Sequence, residues 1–350
     1  MTTGTKTIPI FDGHNDVLLR LRDGGSFFER NDIGHLDLPR AVAGGFGGGF
    51  CAVFVRWGAE QPLPGESEDP PDEPFVPDTP GLADAQSAAI ATMARLFRLE
   101  RESGGTVKIV RAATEIDECL RNGVFAALLH MEGAESIDPE LDALEVFYRA
   151  GLRSIGPVWS RPNIFGHGVP FEFPRSPDTG PGLTDLGREL IRTCNQLGIL
   201  VDVSHLTERG FWDVAELSDA PLVATHSNAH VLTPSTRNLT DRQLDAIRDS
   251  DGIVGVNFCV AFLRADGASR ADTPLDAIVR HVDYLVERLG IDRVGFGSDF
   301  DGATIPVELG DAAGLLRLMD VLRRHGYGEP ELHKLANENW LRVLRATWGE

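Results

Sequence analysis

A chain of 350 residues with a formal charge of −20 is too acidic to favour DNA, RNA or an anionic membrane as a partner. Hydrophobic residues make up 42% of it, which supplies a core and excludes a disordered chain; the length suits one barrel of roughly 250 residues with extensions. Cys51, Cys119, Cys194 and Cys259 lie far apart with no C-x-x-C pair, so neither a zinc ribbon nor a disulfide scaffold is expected, and the thiols read as reduced. The N-terminus shows no basic segment followed by an apolar run, no stretch approaches the ~20 apolar residues of a membrane span, and the C-terminus has no lipid-anchor tail. The expected location is the cytoplasm.

Eight short apolar runs recur along the chain, at 8–14, 48–57, 124–132, 152–159, 198–205, 221–226, 252–258 and 293–299. Several are continuous rather than alternating, the pattern of parallel strands covered on both faces. The first, Ile8-Pro9-Ile10-Phe11-Asp12-Gly13-His14, stops at His14 and Asp16. Residues two apart in an extended chain point to one side, so these two side chains converge. By themselves they are either a strand-end histidine capped by an aspartate or half of a metal site. The glycine-rich stretch 43–49 reads as a tight entry to the second strand. No Lys-Ser/Thr follows it, so it is not a phosphate loop. The proline-rich, acidic stretch 60–81 reads as a long loop, either over the active face of a barrel or simply solvated.

Helical segments are expected between most of the runs, at 83–102, 185–197, 241–250 and 274–289, the last opened by Asp272-Thr273-Pro274 with proline in the first turn. Two more, at about 312–325 and 330–347, close the chain. Eight βα units predict a (β/α)₈ barrel over one domain, 1–350. An open doubly wound sheet is the runner-up. It would show a glycine-rich turn after the first strand, where this chain has His14-Asn15-Asp16. No internal repeat is apparent.

Polar residues stand at the ends of most runs: His14 and Asp16; His130 and Glu132; Asp202, Ser204 and His205; Thr225, His226 and Ser227; Ser298, Asp299 and Asp301. In a barrel these ends surround one mouth. Burying so many imidazoles and carboxylates unpaired would cost several kcal/mol each, and a metal centre would supply the pairing.

His14-x-Asp16, His130-Met131-Glu132-Gly133, Asp202-Val203-Ser204-His205, Thr225-His226-Ser227, Thr236-Arg237-Asn238 and Gly297-Ser298-Asp299-Phe300-Asp301-Gly302 occur in this order. Together they resemble the membrane (renal-type) dipeptidase family of the amidohydrolase superfamily. The resemblance runs from about residue 8 to the end and includes Asn337-Glu338-Asn339-Trp340-Leu341-Arg342-Val343, which is similar to the family's closing helix. It implies two zinc ions per chain, one held by His14 and Asp16, the other by His205 and His226, with Glu132 bridging them. A carboxylate can span two ions ~3.5–4 Å apart, which one imidazole nitrogen cannot. Related barrels bridge with a carboxylated lysine, but Lys6, Lys108 and Lys334 end no strand. The same nitrogen and oxygen donors accept manganese, cobalt or iron as well.

The chemistry this implies is hydrolysis of a dipeptide's peptide bond by a metal-bridging hydroxide, D-residues at the second position included, with Asp299 as general acid and base. The other reading of Asp299 is an N-cap; Asp301 reads as a brace for the loop. Arg237 resembles the family's arginine for the substrate's C-terminal carboxylate, the alternative being a surface salt bridge. Trp159 stands where renal-type members have a histidine that contacts substrate, so Trp159 lines the pocket or His167 reaches in from the following loop. His130 and His230 read as residues behind the ligands, and His35, His281, His325 and His333 as solvated. The acidic residues Glu66, Glu68, Asp69 and Asp72 suggest a bias toward basic or small first residues. The expected partner is a small dipeptide, with no nucleic acid and no membrane, and a homodimer is the assembly to test. The competing functions are an amidohydrolase for N-acyl amino acids or lactams, and a metal-binding scaffold without turnover.

Overall fold

The computed structural model describes residues 7–23, 25–57 and 78–349. The acidic loop residues Glu66, Glu68, Asp69 and Asp72, and most of the stretch 60–81, lie outside the described residues. Among the described residues there are nine strands: β1 (Ile10–Asn15), β2 (Phe46–Phe54), β3 (Val107–Val110), β4 (Phe125–Glu132), β5 (Ser154–Gly156), β6 (Leu200–Val201), β7 (Val223–Ala224), β8 (Ile253–Val256) and β9 (Val294–Phe296). One sheet runs β1-β2-β4-β5-β6 and a second β7-β8-β9, with every pairing parallel. Single parallel bridges, Asp202 to Val223 and Asn15 to Phe300, join the two sheets into a ring of eight strands. The barrel expected from the eight runs is therefore present.

The ninth strand, β3, was not expected. It pairs with the first half of β4, Val107 opposite Phe125 through Val110 opposite Leu128. β5 pairs with the second half, His130 opposite Ser154 through Glu132 opposite Gly156. β3 thus fills the stretch of β4 edge that β5 leaves free. Around the ring lie helices that include Leu82–Glu102, Ala113–Asn122, Asp142–Ala150, Asp185–Leu197, Glu208–Leu217, Asp241–Asp249 and Asp276–Leu289. The helix Asp185–Leu197 begins where Thr184 accepts a hydrogen bond from the Gly187 amide and ends at the left-handed Gly198, as cap chemistry dictates.

The glycine-rich stretch divides between two elements. A short helix, Leu38–Gly44, ends on Gly45 at φ +73°, and β2 begins directly after it. A side chain on Gly48 would collide with the Ala126 backbone of β4. These glycines allow two strands to approach closely.

The last expected helix is broken into Glu329–His333, a π-helical turn at Lys334–Glu338, and Asn339–Trp348. This break turns Trp340 into the barrel. Its indole is fully buried, packs 5.1 Å from the Phe50 ring and donates to the Phe296 carbonyl at 3.1 Å. A Cβ on Gly13 or Gly295 would collide with that indole. Trp340 and its neighbours Phe11, Phe50, Leu128, Leu200 and Val223 form an apolar cluster of their own. The floor of the barrel is therefore packed with apolar side chains. No described helix is long and apolar enough to cross a membrane.

Candidate active site

At the C-terminal ends of the ring strands the predicted residues meet. His14 is the penultimate residue of β1 and Asp16 lies just past its end, Glu132 ends β4, and His205, His226 and Asp299 follow β6, β7 and β9. Glu132 is the centre of the group. Its Oε1 lies 3.0 Å from His205 Nε2, 3.5 Å from His226 Nε2 and 3.7 Å from His14 Nε2. His14 Nε2 is also 3.3 Å from Asp16 Oδ2. Two overlapping sets, His14 with Glu132 and His226, and His14 with Asp16 and Asp299, each bring three ligand atoms within 4.8 Å of one another.

The donor set fits metal ions. Both ring nitrogens of His14 are buried without a directed hydrogen bond, an arrangement that folded proteins avoid unless another partner is supplied. His205 Nε2 and His226 Nε2 face each other at 3.0 Å. Three carboxylates, Asp16, Glu132 and Asp299, line the cleft against one guanidinium, Arg237, leaving a surplus of negative charge that cations would balance.

The electrostatics of the site follow from burial and this surplus. Burial pushes the Glu132 carboxyl well above its usual range, against the pull of His14. Burial likewise raises Asp299, again opposed by His14. On His14 itself burial disfavours charge, yet Glu132, Asp16 and Asp299 together hold it up at about 10. His205 and His226 go the other way: burial, and then the positive charges of Arg237 and His14, keep them neutral. Neutral imidazole is the form that binds a metal.

Asp299 Oδ2 accepts from Asn257 Nδ2 at 2.9 Å, which leaves Oδ1 as the oxygen with no such partner. Asp301 faces elsewhere: it accepts from Arg20 Nε at 3.3 Å and from the His35 amide, bracing the loop. Arg237 is buried, not on the surface. Its terminal nitrogens donate to the carbonyls of Ser204 and His226, one of them lies 3.3 Å from His205 Nε2, and its Nε has no partner. The cleft and its solvent-open mouth together span about 430 Å³, and its apolar wall is Leu19, Phe54, Trp159, Phe171, Phe262 and Ala303. Trp159 packs 4.9 Å from Phe54, 5.6 Å from Phe171 and 5.9 Å from His205. His167 is half-buried and is not among the lining residues.

Of the four histidines expected in solvent, one is buried, two are half-buried and one is exposed. His281 is buried; its Nδ1 accepts from the Ala229 amide at 3.2 Å and its Nε2 faces the Leu263 carbonyl at 3.2 Å. His35 is half-buried, its Nδ1 accepting from the Asp301 amide at 3.0 Å. His325 is exposed and pairs with Asp283, and His333 is half-buried. His130 lies beneath the site, its Nδ1 2.9 Å from Ser154 Oγ and its Nε2 3.8 Å from Asp202 Oδ2. His230 Nε2 reaches the Arg175 carbonyl instead, at 3.1 Å.

Asn257, Ser160, Phe171 and Phe262 were not anticipated. Asn257 ends the seventh run as the other site residues end theirs, so its signal was present. Ser160, 2.8 Å from His205 Nδ1, and Phe171 lie on loops, and Phe262 lies in a four-residue helix, Val260–Leu263, too short for periodicity to mark it.

Comparison with known proteins agrees with this geometry. The model of the membrane dipeptidase family, peptidase family M19, matches residues 4–348. A crystal structure of a metallo peptidase from Rhodobacter sphaeroides, liganded with a phosphinate mimic of the dipeptide L-Ala-D-Ala, is 52% identical with a TM-score of 0.94, the match covering 98% of this chain and 100% of that one. An uncharacterized protein in the pqqA 5′ region of Klebsiella pneumoniae is 54% identical over 74% of this chain and 95% of its own length. The dipeptidase tcpJ of Claviceps purpurea is 28% identical over 95% of this chain and 76% of its own. With a family match over nearly its whole length and a barrel mouth built for metal ions, the chain belongs to the membrane dipeptidase family, peptidase family M19, and is a metal-dependent dipeptidase.

Proposed function

We propose that the protein hydrolyses small dipeptides, including those with a D-residue at the second position, using two zinc ions held by His14, Asp16, Glu132, His205 and His226. The observation that carries this is Glu132, one oxygen of which lies within 3.7 Å of three imidazole nitrogens. The relative that is 52% identical holds a mimic of L-Ala-D-Ala, which supports the substrate class. Four free, buried cysteines suit a reducing compartment, and the cytoplasm is the proposed location.

A pair of divalent ions supplies Lewis acidity toward the scissile carbonyl and brings the pKa of the attacking water near neutral. The chain supplies the rest. Asp299 takes the water's proton on Oδ1, since Asn257 occupies Oδ2, and returns it to the leaving amine. A carboxyl raised by burial is better matched to that exchange than an ordinary one. Arg237, with Nε unpartnered, grips the terminal carboxylate of the substrate. Phe54 and Trp159 wall the cleft and exclude water around the reacting bond. Trp159, rather than His167, is the residue we place against substrate.

The test is amino-acid release from a dipeptide library with L- and D-residues at the second position. Turnover that disappears in chelator and returns with zinc supports the reading. Two metals bound with no dipeptide cleaved would reject it, and turnover of N-acyl amino acids or lactams would then identify the alternative amidohydrolase.

A further inference from the structure

Asp202 and Thr225 belong to the strand-end motifs, but they do not line the cleft and have no part in the chemistry above. Both are buried. Asp202 gathers four donors. Its Oδ1 accepts from the Ser204 amide at 3.0 Å, the Ser204 hydroxyl at 2.6 Å and the Thr225 amide at 2.9 Å. Its Oδ2 accepts from the Thr225 hydroxyl at 2.6 Å. The Ser204 hydroxyl, its proton given to Asp202, accepts from the His226 amide at 3.1 Å.

The Thr225 hydroxyl also lies 2.8 Å from His226 Nδ1. A hydroxyl has one proton to donate, and a carboxylate at 2.6 Å takes it. Toward His226 the same oxygen can only accept, so the imidazole carries its proton on Nδ1. His226 Nε2 is then a bare lone pair, and it is this atom that faces Glu132 and His205. The direction of each bond follows from the one before it.

The geometry points to Asp202 and Thr225 as positioning residues that fix the tautomer of His226 through a carboxylate–hydroxyl–imidazole relay, so that its Nε2 is ready for a metal before any metal arrives. This rests on the reading of His226 as a metal ligand. Partners of this kind orient metal-bound histidines, and their loss typically weakens binding 10–100-fold.

Two variants act on the relay in opposite ways. Thr225→Val removes the hydroxyl. Asp202→Asn keeps the shape but reverses the relay. Two backbone amides hold the carbonyl oxygen at the Oδ1 position, so the amide nitrogen stands opposite Thr225 and donates to it. The hydroxyl then turns its proton onto His226 Nδ1 and forces the proton of the imidazole to Nε2. Thr225→Ser restores the hydroxyl.

The experiment is ¹⁵N NMR of histidine-labelled, metal-free full-length protein, with zinc titration of the same samples. The expected result is an Nδ1–H tautomer for His226 in the wild type and Thr225→Ser, a mixture in Thr225→Val and an Nε2–H tautomer in Asp202→Asn. One of two zinc equivalents should weaken 10–100-fold in the last two and stay unchanged in Thr225→Ser. An Nε2–H tautomer in the wild type overturns the inference with no variant needed. So does a folded Asp202→Asn protein that keeps both the Nδ1–H form and both zinc affinities. A wild type with the Nδ1–H tautomer that binds no zinc would sink the zinc reading and leave the relay standing.

Discussion

Replacing Asp299 by asparagine should remove the proposed proton acceptor and change little else. Asp299 sits at φ +59°, a left-handed conformation that asparagine tolerates better than any other residue with a side chain. The new amide oxygen can keep the 2.9 Å bond from Asn257, so the amide nitrogen replaces Oδ1. Side-chain volume is conserved beside Gly302, where any Cβ would run into Asp16 and Asp299. The backbone and the cleft are therefore retained, and what is lost is general acid–base catalysis, about 10²–10⁴-fold in kcat, or roughly 3–5 kcal/mol of barrier. KM should hold, because the proposed grip on the substrate belongs to Arg237. The assay is initial-rate release of an amino acid from a small dipeptide, with metal content and thermal midpoint measured on the same preparation. A metal-replete Asp299→Asn enzyme within tenfold of wild-type kcat would remove Asp299 from its role.

Arg237→Lys keeps the charge and loses the fork, so kcat/KM on dipeptides should fall about 10–100-fold. Comparing each dipeptide with its C-terminal amide reads this out: the wild type should discriminate strongly and the variant weakly, and equal discrimination would exclude Arg237 from the carboxylate. Burial holds His281 down at about 4 against an ordinary 6.5, so the unfolded chain binds a proton that the folded one refuses between those values. Stability should therefore fall as pH drops from about 6.5 to 4, by up to roughly 3 kcal/mol. His281→Gln should flatten the thermal midpoint across that window, and an unchanged slope would assign the acid sensitivity to other groups. Trp340→Ala empties the barrel floor at a cost of about 3–5 kcal/mol. Calorimetry on a chain of 350 residues should then record a midpoint about 4–7 K lower, whereas a drop under ~2 K would mean that the floor refills without the indole.

The ring strands were legible because parallel strands buried on both faces read as unbroken apolar runs, and the residues of the candidate site because they end those runs. β3 was not, since Val107–Val110 is four residues long, contains Lys108 and gains its partner only through the half of β4 that β5 leaves open. His281 was misread, although Ile278, His281, Val282 and Leu285 form one helical stripe and all four are buried. Its polarity masked a position that spacing alone assigns to the inside. The aromatic wall is a different case. Phe171 and Phe262 reach the cleft from segments whose path is set by tertiary packing, so no local pattern announces them. The turn of the final helix that drives Trp340 inward is equally silent, because a π-helical turn has no residue signature of its own.

The eight-stranded ring has two seams. At one, the Val203 amide reaches the Val223 carbonyl at 2.9 Å; at the other, the Asp16 amide reaches Phe300 at 2.8 Å and the Asp299 amide reaches His14 at 3.0 Å. His14, Asp16, Glu132 and His205 stand on one side of these seams, and His226 and Asp299 on the other. Metal ions gripped from both sides would act as a clasp across the joints of the barrel, adding RT ln(1 + [M]/Kd) to its stability, about 2.7 kcal/mol at a hundredfold excess over Kd. Stripping them should leave the helices protected while the amides of Asp16, Val203 and Asp299 exchange with solvent sooner, so that the enzyme opens along the lines where the residues of its candidate site meet.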